Sequence, residues 1–309
     1  MAAGFPGSPL FFMKRILFLF VTLHASLLAF LLPLSGKLEV ATSICAQQVE
    51  YTPADSARIV SILKTAETER GNEPRMYYFG RQLENVPYVA HTLEVGEKEH
   101  LVVNIHELDC STFMETVTAL TLCDVNGKRT FKDFCHYLQQ IRYRQGKLTD
   151  YTSRLHYFTW WSEDNVKKGF VKAMDDDTFT ATQTLRLNFM SQHPNSYKHL
   201  KAHPEFVKTI RRYEQQYDGT RWPYIPKSKL GGSPRELPAI HTGDIISIIT
   251  KKEGLDNSHV GIAFWRKGKL HLMHASSIKK RVILDLQTFY DYCQAQQSVL
   301  GIRVYRVIE

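Results

Sequence analysis

The sequence predicts an α+β domain in which helices come first and an antiparallel sheet follows. Three observations carry this reading. Apolar residues recur at helical spacing in several stretches up to about residue 217. From residue 243 the spacing changes to two, in four short runs separated by turns. A chain of 309 residues, 43% hydrophobic and 23% charged and without repeats or low-complexity tracts, can also bury one sizeable core. Helices and strands segregated along the chain in this way indicate an α+β domain.

The chain start stands apart. Met13-Lys14-Arg15 precedes an uncharged apolar run from Ile16 to Leu34, long enough to span a membrane. A basic start, an apolar middle and the small-residue exit at Cys45-Ala46 are ordered as in a secretory signal peptide. Residues 1–46 are therefore expected to be a signal peptide, with a true start at Met13 an option and cleavage near Ala46. An uncleaved anchor is the alternative. A lipid anchor on Cys45 fits poorly, because Ile44 is bulky where such signals carry a small residue. Residues 47–309 are expected to form a single exported domain.

Within that domain, residues 54–69 read as a helix with Ile59, Ile62 and Leu63 inward. A second helix begins after Asp109, with Phe113, Met114, Val117 and Leu120 on its apolar face. A third covers residues 131–145, after the turn Asn126-Gly127. Residues 150–192 are mixed and aromatic-rich, and residues 195–217 look helical with a break at Pro204. A loop from Trp222 to Pro238 holds four prolines and Gly231-Gly232. The strands are GDIISII (243–249), HVGIAFW (259–265), KLHLMHA (269–275) and GIRVYRV (301–307).

Charge narrows the partners. The net charge is +8, of which Lys14, Arg15, Lys37 and Glu39 contribute +2, leaving +6 for the exported part. Its basic pairs, such as Lys167-Lys168 and Arg211-Arg212, are dispersed and not interleaved with aromatics. This excludes a nucleic-acid surface. Most such runs are solvated faces, although mild basicity suits an acidic polymer as substrate.

The stretch LDCSTFM (108–114) is the first candidate for chemistry. Asp109 is a good N-cap, which places Cys110 in the first helical turn on the face of Phe113 and Val117. The partial positive charge of a helix N-terminus is expected to lower the thiol pKa. The plain alternative is a small buried cysteine that fills space. Four cysteines follow the leader, Cys110, Cys123, Cys135 and Cys293, too few for a disulfide scaffold.

A thiol nucleophile needs a base and the base an orienting group. Strand alternation puts His259, Gly261, Ala263 and Trp265 on one face. That face is small at Gly261 and Ala263, and the Cys110 helix is expected to pack there. A two-residue turn at Lys267-Gly268 pairs Arg266 with Lys269, Ala263 with Leu272 and Gly261 with His274. His274 then shares a face with His259, whereas His271 falls on the other side and drops out as a bystander. A lone histidine at a strand end is more often structural; two on one face favour a Cys-His-His site. No Cys-x-x-Cys pair supports zinc, so no metal is expected.

These pieces also form a pattern. VPYVAHTLE (86–94), LDCSTFMET (108–116), RLHYF (154–158), GDIISI (243–248), SHVGIAF (258–264) and LMHAS (272–276) together resemble the N-acetylmuramoyl-L-alanine amidase-like branch of the NlpC-type cell-wall cysteine hydrolases. The resemblance covers nearly all of the exported chain. It implies a papain-like fold with the nucleophile helix on an antiparallel sheet and an insertion at about residues 130–240 as cleft wall. By position it implies Cys110 as nucleophile, His259 as base and His274 as the residue that orients it. Tyr88, Asp109 and Ser111 would shape the active site. Arg154, His156, Tyr157 and Trp160 are substrate-binding candidates, although an aromatic cluster is more often core. The family often has glycines after the tyrosine, where this chain reads Val89-Ala90-His91.

The resemblance implies an exported peptidoglycan hydrolase in the periplasm or cell envelope. It would need no cofactor, metal, nucleic acid or stable protein partner, and would cleave the amide between N-acetylmuramic acid and L-alanine in peptidoglycan or muropeptides. The Cys110 amide would donate to the oxyanion. The alternatives are an endopeptidase cutting the stem peptide after γ-D-glutamate, a thiol acyltransferase, and a non-catalytic glycan-binding protein on the same fold.

Overall fold

The computed structural model describes residues 49–309, which belong to one compact unit. The expected signal segment lies outside the described residues. Among those described, no helix is long and apolar enough to cross a membrane.

The helical half comes first, as expected. A short strand β1 (Val49–Glu50) leads into α1 (Pro53–Glu69) and α2 (Arg75–Arg81). Strand β2 (Leu101–Val102) pairs parallel with β1 and precedes α3 (Cys110–Val125) and α4 (Phe131–Arg142). Each long helix begins at a reciprocal cap. Thr52 with Asp55 caps α1, Asp109 with Thr112 caps α3, and Thr130 with Asp133 caps α4. The expected helix over residues 131–145 stops at Arg142, and a single tight turn at Arg144–Gly146 follows, with Gln145 at φ 53°.

The aromatic-rich stretch resolves into α5 (Phe158–Lys167), β3 (Val171–Ala173), β4 (Ala181–Thr184) and the short α6 (Phe189–Gln192). Helices α7 (Lys198–Ala202) and α8 (Pro204–Gln215) meet at Pro204. A proline lacks the N–H that would continue the first helix but fits the first turn of the next. Helix α5 has no cap of its own side chains; the buried Asp256 supplies one, accepting from the Thr159 N–H at 2.6 Å. The loop read from Trp222 to Pro238 begins with a strand, β5 (Arg221–Pro226).

The remaining strands are β6 (Ile245–Thr250), β7 (Asn257–Arg266), β8 (Lys269–Ser276), β9 (Arg281–Leu284) and β10 (Val299–Val307), with α9 (Phe289–Gln294) between the last two. The main sheet is antiparallel in the order β4-β5-β10-β6-β7-β8-β9, and β3 also pairs with β10. The architecture is α+β with a large antiparallel sheet. The β7–β8 hairpin has the expected register, Arg266 with Lys269 and Ala263 with Leu272. Lys267 and Gly268 both take positive φ, 48° and 72°, as the tightest hairpin turn requires.

One expectation is reversed. Phe113, Met114 and Val117 of α3 share a core with Val260, Ile262 and Phe264, on the face of β7 opposite to the one with the small residues. Ala263 lies in a second core with Leu270, Leu272, Phe289 and Cys293, beneath α9. Gly261 has a different purpose, since a Cβ there would sit 2.8 Å from the Leu272 side chain. Its small size admits a neighbouring strand's leucine, not a helix. Both faces of the sheet are therefore covered, which is why β6 is buried along its whole length.

A buried ion pair fixes α3 in place. Arg142 of α4 donates from Nε to Glu115 Oε2 at 2.7 Å and from Nη1 to the Val102 carbonyl at 2.7 Å. Burial raises the Glu115 carboxyl pKa and Arg142 opposes this. Arg142→Ala is predicted to destabilise the fold by about 3–5 kcal/mol, because it strands a buried carboxylate. Replacing both partners with apolar residues of similar volume should restore most of that loss in urea unfolding. Equal losses for the single and double variants would refute the pairing argument.

Candidate active site

Cys110 occupies the first turn of α3 and is partly exposed, with its sulfur walled by protein. Asp109 caps the helix, its Oδ1 accepting from Thr112 N–H at 2.8 Å. Phe113 N–H donates to the Asp109 carbonyl at 2.9 Å. The Cys110 and Ser111 amides remain outside the helical ladder. The Val260 amide and the Ser111 amide and hydroxyl lie near the sulfur and favour its thiolate. The thiol therefore sits beside the peptide that links His259 to Val260.

The strands arrange this meeting. Recorded β7–β8 pairing runs from Arg266 with Lys269 to Ile262 with Met273 and goes no further, so the hairpin opens before His259. On the other edge of β7, the register with β6 shifts between Ile248–His259 and Ile249–Asn257, a bulge at Ser258. Bulges re-aim the neighbouring side chain. His259 Nε2 lies 2.6 Å from His274 Nδ1, with the rings edge to face. His274 is buried, and His259 keeps an open side.

The electrostatics differ from the expectation of a low thiol pKa. Burial, with Asp109 second, pushes the Cys110 thiol up to about 12, against the amide donors of Val260 and Ser111. Burial and His274 lower the His259 pKa to about 3. At rest the thiol and the His259 imidazole are thus both neutral. The partial charge of one helix end is outweighed by desolvation and by an adjacent carboxylate.

The Tyr88 phenol pKa is raised by burial and then by the nearby Cys110 and Asp109. The Tyr88 amide donates to the Lys280 carbonyl at 2.9 Å, which ties this segment to the turn after β8. Three residues on, His91 takes φ 65°, the left-handed conformation that the family's glycines adopt easily. The chain keeps that backbone at some steric cost.

The expected substrate-binding residues have internal partners instead. Arg154 grips Glu99 with Nε and Nη2, at 2.8 and 2.7 Å, and Glu94 with Nη1 at 3.0 Å, stapling residues 94–99. The ring of His156 contacts the Tyr151 carbonyl at 2.8 Å. Tyr157 donates to Glu214 at 2.7 Å, and Trp160 is only 1% exposed in the core. An aromatic run shows its apolar character in sequence but not the direction of its side chains. Substrate would have to displace these partners to reach Arg154, Tyr157 or Trp160.

His271, read as a bystander, is not idle. It is buried, stacks on Phe264 and holds the carbonyls of Asp285 and Gln287 at 3.1 and 3.0 Å. Two further residues escaped the sequence reading. Asp285 Oδ2 faces His274 Nε2 at 3.7 Å, and Tyr292 of α9 packs edge-on against His274 at 5.6 Å. Cys110 also helps raise the Tyr292 phenol pKa, after burial. Neither lies in a motif; each approaches through a turn distant in sequence from α3. Cys123, Cys135 and Cys293 are buried and free, and among the described residues no cluster of metal-ligating side chains occurs.

Comparison with known proteins finds relatives of this chain. A family model described as N-acetylmuramoyl-L-alanine amidase-like matches residues 78–302. An N-acetylmuramoyl-L-alanine amidase from Bacteroides uniformis is 40% identical, with a TM-score of 0.72 over 76% of this chain and 98% of that one. A Bacteroides fragilis protein, provisionally named a xylanase, is 41% identical, with a TM-score of 0.69 over 74% and 99%. A Legionella pneumophila protein shares the fold alone, at 20% identity and a TM-score of 0.61 over 83% and 95%. No curated protein matches the chain. From residue 78 to residue 302 the match spans every element of the site, and the chain belongs to the N-acetylmuramoyl-L-alanine amidase-like family.

Proposed function

We propose that this protein is an exported cysteine amidase that cleaves the bond between N-acetylmuramic acid and L-alanine in peptidoglycan or its fragments. The observation that carries the reading is the 2.6 Å contact between His259 and His274 beside a thiol at the start of a helix. Family membership supports amide hydrolysis on a cell-wall substrate. A helix presenting the thiol, packed on an antiparallel sheet that presents the histidines, supports a papain-like, NlpC-type architecture.

The mechanism follows from the neutral resting pair. His259 Nδ1 takes the Cys110 proton as sulfur attacks the lactyl carbonyl. The Cys110 amide, outside the helical ladder, donates to the oxyanion. His259 then returns the proton to the departing L-alanine nitrogen as the C–N bond breaks and a thioester remains. Water, deprotonated by His259, hydrolyses the thioester and restores the thiol. Tyr88 and Tyr292 flank the thiol, and Ser111 steadies the sulfur. Glycoside hydrolysis instead needs a facing pair of carboxylates. Asp109, beside the thiol, is already engaged as a cap.

Mass spectrometry of defined muropeptides tests the bond. Release of an intact stem peptide with a free L-alanine amine supports the amidase. Sugar-linked L-alanyl-γ-D-glutamate would establish the endopeptidase in its place. Cys110→Ala should lower kcat/KM by roughly 10⁴-fold or more in a folded protein. His259→Ala should be nearly as damaging, and His274→Gln should keep part of the activity. Full activity after loss of the thiol would revive a non-catalytic reading of the site.

The ionisation state has its own test. Alkylation of Cys110 by iodoacetamide should climb about tenfold per pH unit from pH 7 to 10, because only the scarce thiolate reacts. A plateau reached below pH 7 would reveal a preformed thiolate–imidazolium pair. Export is tested by fractionation: the mature chain should begin near Gln47 and lie outside the cytoplasmic membrane, and a full-length cytoplasmic chain would refute it.

A further inference from the structure

We infer that Asp285 is a positioning residue that selects the tautomer of His274 and thereby keeps His259 able to act as a base. The inference rests on the proposed role of His259, and it starts from proton positions. If His259 Nδ1 is to accept the thiol proton, His259 must carry its own proton on Nε2. That Nε2–H then donates across the 2.6 Å contact to His274 Nδ1. His274, if neutral, must in turn carry its proton on Nε2. In the opposite tautomer, His274 Nδ1–H donates to His259 Nε2, which moves the His259 proton to Nδ1 and removes the base.

Nothing in the two rings alone favours the productive arrangement, so a third group must. His274 Nε2 is buried and has no hydrogen-bond partner, and Asp285 Oδ2 faces it at 3.7 Å. The carboxylate is oriented for this. Its Oδ1 accepts the Gln287 N–H at 3.0 Å, and the Asp285 N–H donates to the Leu272 carbonyl at 3.0 Å, so Oδ2 is left toward the ring. His271 holds the same turn from the other side through the carbonyls of Asp285 and Gln287. His274 helps keep the Asp285 carboxyl below its usual range, as does Lys279 more weakly. Tyr292, at the edge of the His274 ring, completes the charged and titratable surroundings.

The distance is longer than a resting hydrogen bond. A negative charge at that range still attracts the N–H tautomer over the bare nitrogen, and more strongly once His259 becomes an imidazolium. The array is then Cys110, His259, His274 and Asp285, with His271 as the anchor of its last member.

Nitrogen-15 NMR of the imidazoles in the Cys110→Ala protein reads the tautomers without any substrate. His274 should show its proton on Nε2, and Asp285→Asn should shift it toward Nδ1. A proton on Nδ1 in the Asp285-containing protein, or an unchanged spectrum in Asp285→Asn, would overturn the inference. With Cys110 restored, Asp285→Asn should lower kcat about 10- to 100-fold at nearly constant KM, and Asp285→Glu should recover part of it. His271→Ala should shift kcat in the same direction by less. Failure of the amidase reading would appear as absent muropeptide cleavage and leave the NMR result standing.

Discussion

The site depends on one contact, between the Val260 amide and the Cys110 sulfur. It joins the two halves of the molecule, since the sulfur belongs to the first turn of a helix and the amide to a strand 150 residues later. It can form because the β7–β8 ladder has ended by then and the bulge at Ser258 has turned the strand end. A regular hairpin would keep its backbone donors for the neighbouring strand. The opening brings the peptide that follows His259 to the sulfur.

Much of the remaining structure keeps that meeting in place. Helix α3 is held by the Glu115–Arg142 pair, and Arg142 also ties α4 to β2. The sheet has a core on each face, so the strands that carry the histidines cannot shift toward solvent. Arg154 staples residues 94–99, in the segment that follows Tyr88, and Asp256 couples α5 to the start of β7. Residues that looked like substrate contacts in the sequence thus serve as the mounting of the cleft.

The same tight mounting sets the chemistry. Walling the thiol in protein beside Asp109 opposes ionisation more strongly than one helix terminus and three donors favour it. In the proposed mechanism the proton therefore moves during the reaction, and the histidine that moves it must have a bare Nδ1 at rest. That requirement gives His274, and the carboxylate behind it, a role beyond holding a ring in place.

What was legible locally is what local chemistry determines. The cap at Asp109, the break at Pro204 and the Lys267-Gly268 turn each follow from residues acting on backbone within four positions. Strand parity carried His259 and His274 to one face because a two-residue turn preserves it. Which face α3 covers was not legible, because Gly261 is small for the sake of Leu272 and Ala263 faces the second core. Nor were the inward turn of Arg154 and Trp160, the approach of Asp285 and Tyr292, or the raised thiol pKa. The sequence by itself determined the elements, the hairpin register and the place of Cys110 in a first turn, all short-range consequences of sterics and hydrogen bonding. Only the tertiary structure decided what surrounds the sulfur, because burial and charge depend on groups brought together from segments far apart in the chain.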